Sequence, residues 1–311
     1  MKSTLFHFPM GRLKIACATA FLICLASGVL AEGTNLDFEA TLAAADRGEA
    51  KAQYEVAGFY ARGNGVAPDN TKAAGYLRRA AEQGHAEAQV MLGSLLGRGV
   101  GVARNPAEAL KWYRKAAEQG NALAEYAMGG FYANGQEVAK DTSEALKWWR
   151  KAAEQGHLEA QDALGQAYFE QAETNLSLFP EAAKWLRKAA DGGYVGSMNN
   201  LGYLYQEGLG VKQDYTEAVR LYRTASEKGN VKAQGNLGAM YLNGSGVPQD
   251  YVEAFAWFKF SGDQGGSVGR KYVLDYELKK LLNDEQKAKA EKLIQELRSR
   301  IGTNRPAAAK L

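Results

Sequence analysis

The chain has 311 residues, of which 23% are charged, and its formal net charge is +3 at pH 7. Lys2, Arg12 and Lys14 lie within the first 31 positions, which hold no acidic residue. Without that segment, 35 of the 38 basic residues remain against 35 acidic residues. A balanced charge argues against a nucleic-acid or anionic-membrane partner, because such a partner requires a basic excess on one face.

Residues 1–31 have the three parts of a secretory signal peptide. The basic start is followed by an apolar run from Ile15 to Leu30, and Ala31 closes a small-residue cleavage site. This run is short for a membrane span, which needs about twenty apolar residues, and no later segment is close to that length. Cys17 and Cys24 lie in the leader at positions that do not fit lipidation. We therefore expect cleavage after Ala31 and a cysteine-free, periplasmic or secreted protein with no membrane span.

Beyond the leader, the dominant feature is an internal repeat of 36 or 37 residues. It is marked by a recurring glycine: Gly48, Gly84, Gly120, Gly156, Gly193, Gly229 and Gly265. Within a repeat, apolar and small residues fall three or four apart in two separate runs, for example Ala88, Leu92 and Leu96, then Ala109, Trp112 and Ala116. This spacing predicts two amphipathic helices per repeat.

Turn and capping residues recur with the same period. A Gly-x-Gly-Val turn separates the two helices, since glycine accepts the left-handed backbone that ends a helix. Capping boxes open the second helix at Asn105/Glu108, Asp141/Glu144, Asp214/Glu217 and Asp250/Glu253, and basic pairs such as Arg114-Lys115 close it near the negative end of the helix dipole. Large rings at Trp112, Trp148, Trp185 and Trp257 are expected to be buried beside rows of alanine.

These patterns predict an all-α fold, an α/α superhelical solenoid of six helix-turn-helix repeats over residues 48–265. A capping helix is expected within 32–47, and two more within 266–300, at about 267–282 and 284–300. An Asn283/Gln286 capping box begins the last of them. Residues 301–311 are expected to form a disordered tail.

The combined pattern resembles the Sel-1-like repeat, a relative of the tetratricopeptide repeat. Residues 229–265 carry it most fully, with Ala233, Leu237-Gly238, Tyr241, Gly244, Gly246-Val247, Asp250, Ala254, Trp257 and Gly265. The resemblance implies a right-handed superhelix of helix pairs that binds other proteins. Some exported relatives carry a cysteine pair in each repeat and are described as binding or hydrolysing β-lactams. This chain has no cysteine beyond its leader.

No catalytic, metal or cofactor site is predicted. His85 and His157 both follow a repeat-joining glycine, two repeats apart, so they are expected about 20 Å from each other as solvated turn residues. No thiol or placed histidine is available to activate a nucleophile. The glycine-rich segment 97–101 follows a helix and lacks the strand and lysine of a phosphate loop. We therefore do not expect an enzyme.

Two rows on the first helix of each repeat vary from unit to unit and are expected to face outward. One row comprises Tyr54, Val90, Tyr126, Asp162 and Asn199, and the other comprises Arg62, Arg98, Asn134, Glu170, Glu207 and Asn243. Tyrosines beside charge that changes from basic to acidic suit a protein or peptide ligand, although solvated positions free to drift would vary in the same way. In repeat four the turn from Gln171 to Pro180 lacks the glycines, which indicates a longer helix or a protruding loop.

The sequence thus predicts an exported protein–protein interaction scaffold that binds a partner along its superhelical groove. The alternatives are a hydrolase or β-lactam-binding protein, like the cysteine-rich relatives, and a module that binds the cell wall.

Overall fold

The computed structural model describes residues 35–267 and 278–302, and these residues contain only helices. The helices are α1 (Asn35–Asp46), α2 (Ala50–Arg62), α3 (Asn70–Glu82), α4 (Ala86–Arg98), α5 (Pro106–Glu118), α6 (Ala122–Asn134), α7 (Thr142–Glu154), α8 (Leu158–Ala172), α9 (Phe179–Asp191), α10 (Val195–Glu207), α11 (Tyr215–Glu227), α12 (Val231–Asn243), α13 (Tyr251–Asp263) and α14 (Asp284–Gly302). Short 3₁₀ turns lie at Leu176–Leu178 and Leu278–Leu281.

The chain divides into two compact units, residues 1–160 and 161–311. In the first, each helix from α1 to α7 packs against the next, and in the second the same holds from α9 to α14. Each unit is therefore a stack of helix-turn-helix repeats, which confirms the α-solenoid class. The expected leader, most of the helix expected at 267–282 and residues 303–311 lie outside the described residues. The expected tail is wrong for residues 301 and 302, which form the end of α14.

A left-handed glycine ends the first helix of five repeats, as the Gly-x-Gly-Val pattern predicts. These glycines are Gly63, Gly99, Gly135, Gly208 and Gly244. Repeat four lacks one, and its first helix, α8, has 15 residues where the others have 13. The predicted longer helix is confirmed, and the turn after it leaves Leu176 70% exposed.

The predicted N-caps form, but the capping boxes close only halfway. The Asp141 carboxylate accepts a hydrogen bond from the Glu144 amide at 3.0 Å. The amide of Asp141 itself donates to the Tyr132 carbonyl at the end of the preceding helix, so the glutamate side chain is not needed there. Both halves of the box form at Asn283 and Gln286.

The buried core lies along the alanine and glycine rows, but the expectation that Trp148 is buried is wrong. Trp112, Trp185 and Trp257 are buried as expected, whereas Trp148 is half-buried and its neighbour Trp149 is 4% exposed. Trp149 faces Gly129, where a Cβ atom would lie 2.3 Å from the indole ring. The position after the tryptophan row therefore packs against the backbone of the first helix, and the glycine row makes room for it.

Candidate functional site

The first helices of the repeats are called the A helices below. They are α2, α4 and α6 in the first unit, α8, of which residues 161–172 belong to the second unit, and α10 and α12 in the second. The second helices, called the B helices, are α3, α5, α7, α9, α11 and α13. Both rows predicted to face outward lie on the A helices, so each row is described within its own unit.

The expectation that the first row faces outward is wrong. Val90 and Asp162 are each 5% exposed and Asn199 is 3% exposed, while Tyr54 and Tyr126 are half-buried. All of these side chains except Val90 are seen to contact the next repeat within their unit. Val90 belongs to the buried core of the first unit. The variation along this row therefore reflects different packing solutions at the repeat junctions.

The tyrosines of this row stack on the two histidines. Tyr54 lies 4.8 Å from His85 and Tyr126 lies 5.0 Å from His157, measured between ring centroids. The expectation that the histidines are solvated is wrong, because each one is also a helix N-cap. Nδ1 of His157 accepts a hydrogen bond from the Ala160 amide at 3.2 Å. Burial lowers the pKa of His157, while Glu159 acts in the opposite direction.

In the second unit the same row is polar. The Asp162 carboxylate accepts hydrogen bonds from the Ser197 hydroxyl and the Gln166 amide. The Asn199 side-chain oxygen accepts one from Asn236 at 3.0 Å. These groups are satisfied by one another, as buried polar groups usually are.

The second row does lie at the surface. Five of its members are exposed, namely Arg98, Asn134, Glu170, Glu207 and Asn243, and Arg62 is half-buried. The row is basic or neutral in the first unit, and it is acidic in repeats four and five of the second unit. This row is the variable, solvent-facing surface of the A helices.

Most basic residues that end the B helices are used in packing, a role that the sequence analysis missed. Arg114 and Arg223 donate to the hydroxyls of Tyr132 and Tyr241 in the next A helix, at 3.4 and 2.7 Å, and Arg187 does the same to Tyr205. The constant spacing of 18 residues was the available signal. These arginines link neighbouring repeats.

Arg78 is the variant of this arrangement, because leucine replaces tyrosine 18 residues later. Its guanidinium instead lies 2.7 Å from the Glu108 carboxylate. The hydrogen bond from Arg78 holds the pKa of Glu108 below its usual value, against a smaller opposing effect of burial.

A buried amide ladder also recurs. Gln53 donates to the Ala45 carbonyl at 3.1 Å and accepts from Gln83 at 2.8 Å. Gln89 and Gln234 make the equivalent two contacts in their own repeats. The position is Glu125 in repeat three, where the carboxylate accepts from Gln155 at 2.7 Å.

Three further features of the described residues concern metal binding, membrane spans and pockets. Within residues 35–267 and 278–302, no three or more His, Cys, Asp or Glu side chains are grouped so that they could hold a metal ion. None of the described helices is long and apolar enough to cross a membrane. A shallow pocket of about 220 Å³ in the second unit is lined by Ala190, Asp191, Met198, Arg220, Leu221 and Thr224, and Arg220 is already paired with Glu217 at 2.7 Å.

Comparison with solved structures gave two informative matches. A Sel1 repeat protein from Oxalobacter formigenes is 32% identical, with a TM-score of 0.60, and the match covers 70% of this chain and 89% of that one. The Escherichia coli protein c5321, described as a protective antigen of uropathogenic strains with an SLR fold, is 28% identical with a TM-score of 0.59. That match covers 86% of this chain but 65% of the other, so this chain spans less than two thirds of its length. No curated protein matches the chain in sequence.

The Sel1 repeat family model matches six consecutive segments: 50–85, 86–121, 122–157, 158–194, 195–230 and 231–266. Each segment corresponds to one A helix, one B helix and the glycine turn that joins the next repeat. With the repeats, their packing and these matches in agreement, the chain belongs to the Sel1 repeat family.

Proposed function

We propose that this protein is an exported interaction scaffold that binds a protein or peptide partner on the exposed surface of its A helices. Sel1 repeats are in general modules of protein–protein interaction and are typically not enzymatic. The observation that carries the proposal is the division between shared and variable positions. Core, turn and cap residues recur in nearly every repeat, whereas the exposed row changes from Arg62 and Arg98 to Glu170 and Glu207.

A fold needs the shared positions, because each one packs, caps or turns the chain. It places no such demand on the exposed row, where surface substitutions usually change stability little. Within the first unit the row has basic members and within the second it has acidic ones, so each unit by itself suits a ligand of opposite charge. Complementary charge increases specificity and association rate more than affinity. The leader-like residues 1–31 support export of this scaffold.

Charge reversal tests the binding surface. We expect Arg62→Glu with Arg98→Glu to reduce the amount of partner that co-purifies with the protein from its native compartment. The matched control is Lys111→Glu with Lys147→Glu, which makes the same charge change at exposed positions of the B helices. Equal capture by both double variants would contradict the A-helix surface.

Export is tested separately by mass spectrometry of the mature protein. We expect an N-terminus at Glu32 and recovery from the periplasmic or extracellular fraction. Recovery of the uncleaved chain from the cytoplasm would contradict it.

A further inference from the structure

Arg62 differs from the other arginines of the described residues, because its guanidinium forms neither an ion pair nor a hydrogen bond there. Partners are found for Arg47, Arg78, Arg79, Arg98, Arg104, Arg114, Arg150, Arg187, Arg220, Arg223, Arg298 and Arg300. A guanidinium carries five donors in a planar fork and is always charged. Arg62 thus presents an unused donor set on the A helices of the first unit.

Arg62 as a residue is also half-buried. It lies back along α2 over Gly58, one turn earlier, where a Cβ atom would be 2.9 Å from Nη2 and 3.5 Å from Cζ. A glycine inside a helix lowers stability relative to alanine. The equivalent positions on α4 and α6 are also small, Ser94 and Gly130.

The helix dipole alone does not explain this arrangement. A base in the last turn is favourable at the negative end of a helix, and Arg98 occupies the same position on α4. That effect requires neither partial burial nor a glycine under the guanidinium. A half-buried residue whose charge has no partner within the described residues gains from a ligand that supplies charge-assisted hydrogen bonds.

We propose that Arg62 is the subsite for a carboxylate of the partner peptide, with Arg98 one repeat further as a second cation. The proposal rests on the proposed function and names the chemistry of its partner. A carboxylate matches the guanidinium fork with two parallel hydrogen bonds, which a lone amide oxygen does not. Neighbouring A helices lie about 10 Å apart, and an extended peptide covers that distance in about three residues. An acidic peptide therefore reaches both arginines.

Fluorescence anisotropy with the purified mature protein tests the subsite. The probe is a labelled, C-terminally amidated peptide of about twelve residues in which Glu alternates with Gly and Ser. We expect it to bind and its lysine counterpart not to bind. Arg62→Gln should weaken binding about ten-fold or more, because hydrogen bonds to charged groups are the strong ones. Arg62→Lys should have an affinity between those of the wild type and Arg62→Gln, because lysine keeps the charge but lacks the planar guanidinium. Lys111→Gln, an equal charge change on a B helix, should leave binding unchanged.

Two further peptides separate the sources of the carboxylate. If the subsite binds a C-terminal carboxylate, an unlabelled glutamine peptide with a free C-terminus should displace the labelled probe. If the subsite binds an acidic side chain, only the unlabelled glutamate peptide should displace it. Equal binding of the glutamate and lysine peptides, or unchanged binding by Arg62→Gln, would overturn the proposal. If partner capture from the native compartment still depends on the A helices in that case, the proposed function stands without this subsite.

Gly58→Ala keeps the charge but removes the space that the guanidinium occupies. We expect a higher melting temperature, because alanine favours the helix, together with weaker binding of the glutamate peptide. A folding defect cannot produce that combination. Unchanged peptide affinity in this variant would show that the position of Arg62 over Gly58 has no part in recognition.

Discussion

Glu125→Gln is the substitution whose effect the repeat itself predicts. Gln53, Gln89 and Gln234 occupy the equivalent position, and each donates to the carbonyl eight residues earlier while accepting from a glutamine of the following B helix. Glu125 keeps the accepting half through Gln155. An ionised carboxylate has no proton to donate, and this one is only 4% exposed.

We expect the glutamine variant to be more stable at neutral pH by about 1–2 kcal/mol. Two effects contribute: the variant regains one hydrogen bond, and it no longer buries a charge. Burial raises the pKa of Glu125, and the nearby Glu154 adds to the increase, while Lys151 and the Gln155 hydrogen bond oppose it. Because the folded-state pKa is raised, protonation favours the folded form. The wild type should regain stability as the pH falls through that pKa toward 4.5, the ordinary value, and lose it as the pH rises.

The measurement is urea unfolding of wild type and Glu125→Gln, followed by circular dichroism between pH 4.5 and pH 8. The gain of the variant should be largest at the alkaline end and shrink on acidification. Glu118→Gln, at an exposed position on α5, is the control and should show no comparable pH-dependent gain. A destabilised Glu125→Gln at pH 8, or a gain independent of pH, would refute the reasoning.

Three other predictions, on four substitutions, test the packing. Trp149→Ala should lower the free energy of unfolding by about 3–5 kcal/mol through cavity formation, measured by chemical denaturation. Trp148→Ala should cost clearly less, because Trp149 is 4% exposed whereas Trp148 is half-buried. Equal losses would contradict this. Ser226→Ala should raise stability by about 1 kcal/mol, since its buried hydroxyl has no hydrogen-bond partner among the described residues. A loss of stability in thermal unfolding would argue against that environment. Arg223→Gln should cost about 1 kcal/mol of stability, because the Tyr241 hydroxyl loses its hydrogen bond from the guanidinium. An unchanged urea midpoint would show that this hydrogen bond does not stabilise the fold.

The repeat, the helix pairs and the glycine turns could be predicted from the sequence because they depend on local spacing. A glycine that ends α4 acts through its own backbone, and its effect does not depend on a distant neighbour. The N-cap at Asp141 was predictable for the same reason. The partner of the Asp141 amide could not be predicted in this way. The capping box assigns that amide to the Glu144 side chain, but the Tyr132 carbonyl accepts its hydrogen bond once the two helices have packed.

The outward row was less predictable, since helical periodicity places residues on one face without showing what covers that face. Tyr54 and Tyr126 varied from repeat to repeat in the way that surface residues do. In the structure they stack on His85 and His157 within their unit, where the histidines also cap helices. Variation thus has two sources here, contact between repeats and exposure to solvent, and only coordinates separate them.

The assignment of Trp148 to the core shows the same limit. Trp148 and Trp149 are adjacent, and both could be placed on a buried stripe from the sequence pattern. Gly129 distinguishes them, because its missing side chain leaves the space that Trp149 fills. A glycine opposite a ring recurs in four repeats, and it was a usable signal of which position is buried.

Site-specific photo-crosslinking tests the central claim, that the exposed surface of the A helices binds a partner. A photoreactive residue would be placed at Asn134 or Glu207 on the A helices and, as matched exposed controls, at Lys111 or Lys147 on the B helices. We predict that the same partner protein is crosslinked in the native compartment from the A-helix positions and not from the controls. Crosslinking from the B-helix positions alone, or equally from both sets, would contradict the claim.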